Sequence, residues 1–271
     1  MSVTTNPVCV SGMAAMSWDL PEEIAMYRRT GTDLVGLQRS KAASFGVAAL
    51  GDLLARHEVR LGYLVHSFTA HPDDESGWAQ QVAALQDGVV DARRLGADLV
   101  YLTSGPSAHL TWEEAAGRFA ERIAPVVATA REHGVRLGVE NTLPVKCDLS
   151  FTHTARDALA LADLCGIGIC LDLYCCWQER GLTGLMRDRV GQVELLQVSD
   201  FRVGTSTFPN RWVPGDGDLP MAGLLASVLR AGYTGIVDVE LIGPAIEAEG
   251  AESAVTRSIA WTREQIAVAR P

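Results

Sequence analysis

The sequence lacks what a membrane or nucleic-acid partner would demand. No stretch approaches the roughly 18 uninterrupted apolar residues of a spanning helix, and the N-terminus has no charged-then-apolar layout of a secretory signal. Positive charge is in deficit, with 23 Lys and Arg against 33 Asp and Glu and a formal net charge of −10. Duplex DNA and anionic bilayers need basic patches, so neither is expected as a partner. Cysteine spacing is equally uninformative: Cys9, Cys147, Cys165, Cys170, Cys175 and Cys176 match no zinc ribbon or disulfide scaffold. In a reducing compartment they are core thiols. A cytoplasmic chain without lipid or nucleic-acid partners is the expectation. No Gly-x-Gly-x-x-Gly follows the first strand, which removes the dinucleotide fingerprint.

What is present is a repeated unit. Apolar runs of strand length alternate with helical stretches of roughly 10 to 20 residues, the pattern of parallel strands joined by helices. The expected strands are 8–12, 33–37, 59–66, 97–102, 135–140, 167–172, 193–198 and 236–241. The expected helices are 20–30, 47–57, 76–95, 111–133, 154–164, a short stretch near 184–188, 219–231 and 251–269. Eight strand-then-helix units with nothing left over predict an α/β fold, a single (β/α)8 TIM barrel spanning residues 1–271.

Four consecutive strands end on a side chain that carries oxygen: Glu140, Asp172, Gln197 and Glu240. One such acid could cap the next helix or pair with an Arg. Four in succession, on strands five to eight, converge on one mouth of a barrel, because all parallel strands end there. Clustered carboxylates repel and are costly to desolvate. A shared divalent cation relieves that cost, and oxygen donors suit Mn²⁺ first, with Mg²⁺ or Co²⁺ as possibilities. His66 closes the third strand and is a further candidate acid/base near neutral pH; a loop hydrogen bond is the competing reading. His71, His109 and Lys146 lie in mouth-side loops. Trp18, Trp177 and Trp212 follow strand ends or sit in the long loop, and are candidates to wall a pocket or simply to pack.

Five segments carry a family resemblance: Gly138-Val139-Glu140-Asn141, Leu171-Asp172-Leu173-Tyr174, Gln197-Val198-Ser199-Asp200, Arg211-Trp212-Val213-Pro214-Gly215-Asp216-Gly217-Asp218 and Asp238-Val239-Glu240. In order and spacing the chain resembles the xylose isomerase-like barrels, the sugar-phosphate isomerase and epimerase group. The resemblance implies a metal held by Glu140, Asp172, Gln197 and Glu240, and an Arg211 that reaches substrate oxygens or pairs with Asp216 or Asp218. It sets position 175 at the substrate, where many relatives carry His and this chain has Cys175. Asp200 would orient a ligand or Arg211, or be purely structural. Gln197 also stands where many relatives have His, which is more similar to the dehydroshikimate-dehydratase branch than to ketose epimerases.

The chemistry so implied is proton abstraction next to a carbonyl, through an enediolate, with Glu140 and Glu240 removing and returning the proton. Loss of a β-hydroxyl from the same intermediate gives dehydration, so a lyase of the dehydroshikimate- or inosose-dehydratase type is the alternative. A repair nuclease on this scaffold would need His-rich zinc ligands that are missing here. A barrel that only binds is a third reading. The partner is a small molecule, with a homodimer or homotetramer compatible with the resemblance.

Overall fold

The computed structural model describes residues 6–269. Eight strands run parallel and close on themselves in sequence order: β1 Val8–Ser11, β2 Leu34–Gln38, β3 Arg60–Ser67, β4 Leu99–Thr103, β5 Arg136–Glu140, β6 Gly168–Asp172, β7 Val193–Val198 and β8 Ile236–Val239. Pairing of β1 with both β2 and β8 completes the ring. The outer layer holds α1 Leu20–Arg29, α2 Arg39–Phe45, α3 Val47–Arg56, α4 Glu75–Arg94, α5 Trp112–His133, α6 Ala155–Cys165, α7 Leu173–Cys176, α8 Leu182–Arg189, α9 Met221–Arg230, α10 Pro244–Glu249 and α11 Ala251–Ala269. No helix among the described residues is long and apolar enough to cross a membrane.

Local chemistry explains the boundaries. Thr111 and Glu114 form a capping box at the start of α5, and Gly134 ends it in the left-handed region at φ 64°. Thr154 and Asp157 repeat the box at α6. Three short helices depart from the sequence expectation: α2, α7 and α10. None is long enough to develop an apolar stripe. Asp172 caps α7 and Pro244 opens α10, whereas α2 starts with no side-chain cap.

Alternation along the strands divides the core in two. One face of each strand packs against the helices in a large cluster. The other fills the barrel with Cys9, Leu34, Tyr63, Val65, Leu99, Tyr101, Cys170 and Leu195. Tyr63 fits only because residue 36 is glycine: a Cβ there would lie 1.8 Å from the Tyr63 ring. That plug closes the barrel below and leaves the C-terminal strand ends as the floor of a cavity.

Candidate active site at the barrel mouth

Glu140 ends β5, Asp172 ends β6, Gln197 is the penultimate residue of β7, and Glu240 follows β8 directly. The pairing register aligns Asp172 with Gln197, and the twist of the ring brings the side chains inward. Carboxylate oxygens of Glu140, Asp172 and Glu240 lie within 4.8 Å of one another, and all three residues are buried. Glu140 and Glu240 line a cavity of about 320 Å³ together with Tyr101, Cys175 and Arg211.

Arg211 enters this cluster from the loop after β7. Its Nη2 lies 2.8 Å from Asp172 Oδ2 and 2.7 Å from Glu240 Oε2. Nη1 donates to Ser199 Oγ at 2.9 Å, and the guanidinium sits 4.2 Å over the Tyr174 ring. Burial opposes its charge, but Asp172 and Glu240 outweigh burial and hold Arg211 firmly protonated. The carboxylate of Glu140, by contrast, has no hydrogen-bond or ion-pair partner among the described residues. Burial, then the charges of Glu240 and Asp172, push its pKa well above the carboxylate range. Burial raises Glu240 as well.

The donor set fits a hard divalent cation. Around Mg²⁺ or Mn²⁺, oxygens held at about 2.1 Å lie at most about 4.2 Å apart, and one oxygen from each of these carboxylates lies within 4.8 Å of the others. With all three carboxylates ionised, the one guanidinium would leave two negative charges unbalanced in a buried site, which a divalent cation would offset. Gln197 differs from the expectation of a metal ligand. Its amide oxygen accepts from Cys170 Sγ at 3.2 Å, while Nε2 donates to Asp238 at 3.1 Å and to Glu240 at 3.3 Å. In this orientation it steadies Glu240 and offers no oxygen to a cation; ligation would need the amide to turn over.

Asp200 does not line the cavity. Its carboxylate accepts from the backbone N–H of Phe201, Gly215 and Leu219 at 2.8, 2.8 and 3.0 Å. Backbone bonds to Trp212 join it to the strand segment that carries Arg211. It acts on the site through the loop. His66 is the clearest correction. It alternates with Val65 and Ser67 of the cavity wall, so it faces the helices. Nδ1 accepts from Arg39 Nε at 3.1 Å, the ring packs on Phe68, and burial followed by Arg39 lowers its pKa to about 4. It is neutral at physiological pH and does not line the cavity.

Cys175 does line the cavity, with Sγ 3.0 Å from Asp172 Oδ2. Trp177 packs half-buried against the core, outside the cavity lining. Lys146 reaches the cavity wall, whereas His71 and His109 flank Asp73 in an exposed cluster and do not line the cavity. Two features escaped the sequence reading. Asp238 is buried one layer below Glu240, hydrogen-bonded to Tyr63 and Gln197, with Oδ1 unpartnered and a pKa pushed up by burial to about 7. Its spacing of two from Glu240 signals the same inward face. The apolar wall of Met13, Met16, Phe208 and Ile242 comes from a 3-10 turn and loops, and carries no sequence signal.

The family model described as xylose isomerase-like TIM barrel matches residues 24–265. No curated protein matches the chain. Among solved structures, a xylose isomerase domain protein from Alicyclobacillus acidocaldarius superposes with a TM-score of 0.80 at 23% identity, covering 97% of this chain and 99% of that one. D-psicose 3-epimerase with D-tagatose from Clostridium cellulolyticum superposes at 0.79 with 14% identity, covering 96% and 99%. The IolI protein, solved with a zinc atom, superposes at 0.80 with 17% identity, covering 97% and 98%.

Proposed function

The chain belongs to the xylose isomerase-like TIM-barrel family, and on that premise we propose that it is a divalent-metal-dependent isomerase or epimerase of a sugar or related hydroxy-ketone. One observation carries the proposal: three buried carboxylates share a space small enough for a single cation, on the floor of a cavity. Glu140, Asp172 and Glu240 would hold the ion, with Mn²⁺ the best match to their hard oxygens and Mg²⁺ or Co²⁺ also compatible. When bound, the cation supplies Lewis-acid polarisation to a carbonyl and its neighbouring hydroxyl.

The chain's own groups handle the proton. Glu140 ends β5 and Glu240 directly follows β8, strands three apart round a ring of eight, so they approach a molecule in the cavity from different sides. One carboxylate takes the proton next to the carbonyl and the other returns it to another face or carbon. Arg211 offers N–H donors to substrate oxygens once its pairs with Asp172 and Glu240 relax. Cys175, where many relatives carry His, leaves that side of the cavity less polar.

The test is exchange of the carbon-bound proton next to the carbonyl in D₂O, followed by NMR with Mn²⁺ and a panel of ketoses and cyclic keto-alcohols. Glu140→Gln and Glu240→Gln should each lower exchange by about 10²–10⁴-fold, and Cys175→Ala far less. Unimpaired exchange in either Glu variant overturns the proposal. The side chain at 197 supports a second reading, dehydration, and an unsaturated product in the same spectra would decide for it.

A further inference from the structure

A separate cavity of about 330 Å³ lies between the ends of β2 and β3 and helix α4. His66 of β3 faces it, and so does Arg39, which follows the last residue of β2. Arg39 Nε donates to His66 Nδ1 at 3.1 Å, while Nη1 and Nη2 have no hydrogen-bond or ion-pair partner among the described residues. Asp91 on α4 feels this charge but forms its ion pair with Arg94. In a chain of net charge −10, a half-buried guanidinium is thus left without a carboxylate. Because Nδ1 of His66 accepts from Arg39, the neutral ring carries its proton on Nε2. That N–H is buried and has no acceptor, in a residue only 5% exposed.

Donors without acceptors, and no acidic residue among those that line the space, are the complement of an oxyanion. Ser40, Ser67 and Gln80 add hydroxyl and amide donors from three different elements. A carboxylate has two oxygens to offer such a set, whereas a phosphate group presents at least three. The planar guanidinium fork also matches phosphate geometry in a bidentate fashion. Gly88 of α4 makes the room: a Cβ there would lie 2.5 Å from Arg39 Cδ. We propose that this cavity binds a phosphate group, with Nη1 and Nη2 of Arg39 on two of its oxygens and His66 fixing the guanidinium from its Nε side. The site needs no metal and no residue of the carboxylate floor, so it lies beyond the function proposed for that floor. Free phosphate and a phosphate ester share the required chemistry.

The experiment titrates inorganic phosphate and D-fructose 6-phosphate into the metal-free protein by calorimetry at constant ionic strength. Binding should weaken at least about tenfold in Arg39→Met, which keeps the aliphatic shaft but loses the charge-assisted bonds, while circular dichroism stays native. Gly88→Ala pushes the Arg39 shaft aside without touching its charge and should weaken binding as well. Lys146→Met, which alters a cation of the inner cavity, should leave the affinity unchanged. Tighter binding of the ester than of inorganic phosphate, lost in Arg39→Met, assigns the site to a phosphorylated molecule; equal binding with the same loss assigns it to the free ion. No binding of either probe, binding that survives Arg39→Met, or loss in Lys146→Met instead overturns the proposal. Mn²⁺ titration of the same protein by EPR reads the carboxylate floor independently, so either assignment can fail while the other stands.

Discussion

At the residue scale the site turns on a contest for Arg211. Its guanidinium lies between Asp172 and Glu240, at 2.8 and 2.7 Å, where a divalent ion would draw on the same oxygens. Removing one partner of a buried pair costs about 3–5 kcal/mol. Arg211→Met should therefore lower the melting temperature of the metal-free protein, yet bind Mn²⁺ at least tenfold more tightly by EPR titration. Unchanged or weaker Mn²⁺ affinity would show that the arginine and the ion do not compete. His66 makes a separate, pH-dependent contribution. Its folded pKa of about 4 lies below the ordinary 6.5, with burial the first cause, so the unfolded chain binds the extra proton. Stability is complete above pH 6.5 and declines as pH falls towards 4, by a total of about 3 kcal/mol. Urea unfolding at pH 7, 5.5 and 4.5 should show that slope, and His66→Asn should flatten it relative to the parent.

At the element scale the long connection from β7 to α9 matters most. Asp200 draws three backbone N–H groups onto one carboxylate and pairs with Trp212, which leaves Arg211 aimed at the floor. Charge-assisted bonds of this kind contribute about 1.5–3 kcal/mol. Asp200→Ala should cost that much stability and speed amide exchange at Phe201, Gly215 and Leu219, while protection in β1 to β6 persists. If exchange at those amides is unaltered, the staple is not what holds the loop. The strands were readable because short apolar runs between helix-length stretches are a local signal. The helices α2, α7 and α10 were not, since each is too short for periodicity to separate it from a turn.

At the scale of the whole molecule, a cation should tie four strands together. Glu140, Asp172 and Glu240 come from β5, β6 and the end of β8, and Gln197 of β7 is hydrogen-bonded to Glu240. A ligand that binds only the folded barrel stabilises it by mass action, about 2.7 kcal/mol at a concentration one hundred times its dissociation constant. Thermal melts should therefore rise with added Mn²⁺ and fall back with chelator, and the effect should vanish in Glu140→Gln/Glu240→Gln. A melt indifferent to Mn²⁺ in the parent protein would count against any shared ion.

From sequence alone the barrel, its strand order and the oxygen-bearing strand ends were legible, because burial pattern and strand direction are written locally and parallel strands must finish at one mouth. Asp172 shows the limit of that reading: it caps α7 through Tyr174 and also pairs with Arg211, the two structural roles open to a lone strand-end acid, while lying in the carboxylate cluster as well. Tertiary structure alone decided which way His66 faces, which atom Gln197 presents, that Asp200 serves the loop, and which loop residues wall the cavity. Those outcomes depend on side-chain direction and on contacts between residues distant in the chain, and neither is encoded in the spacing of residue types.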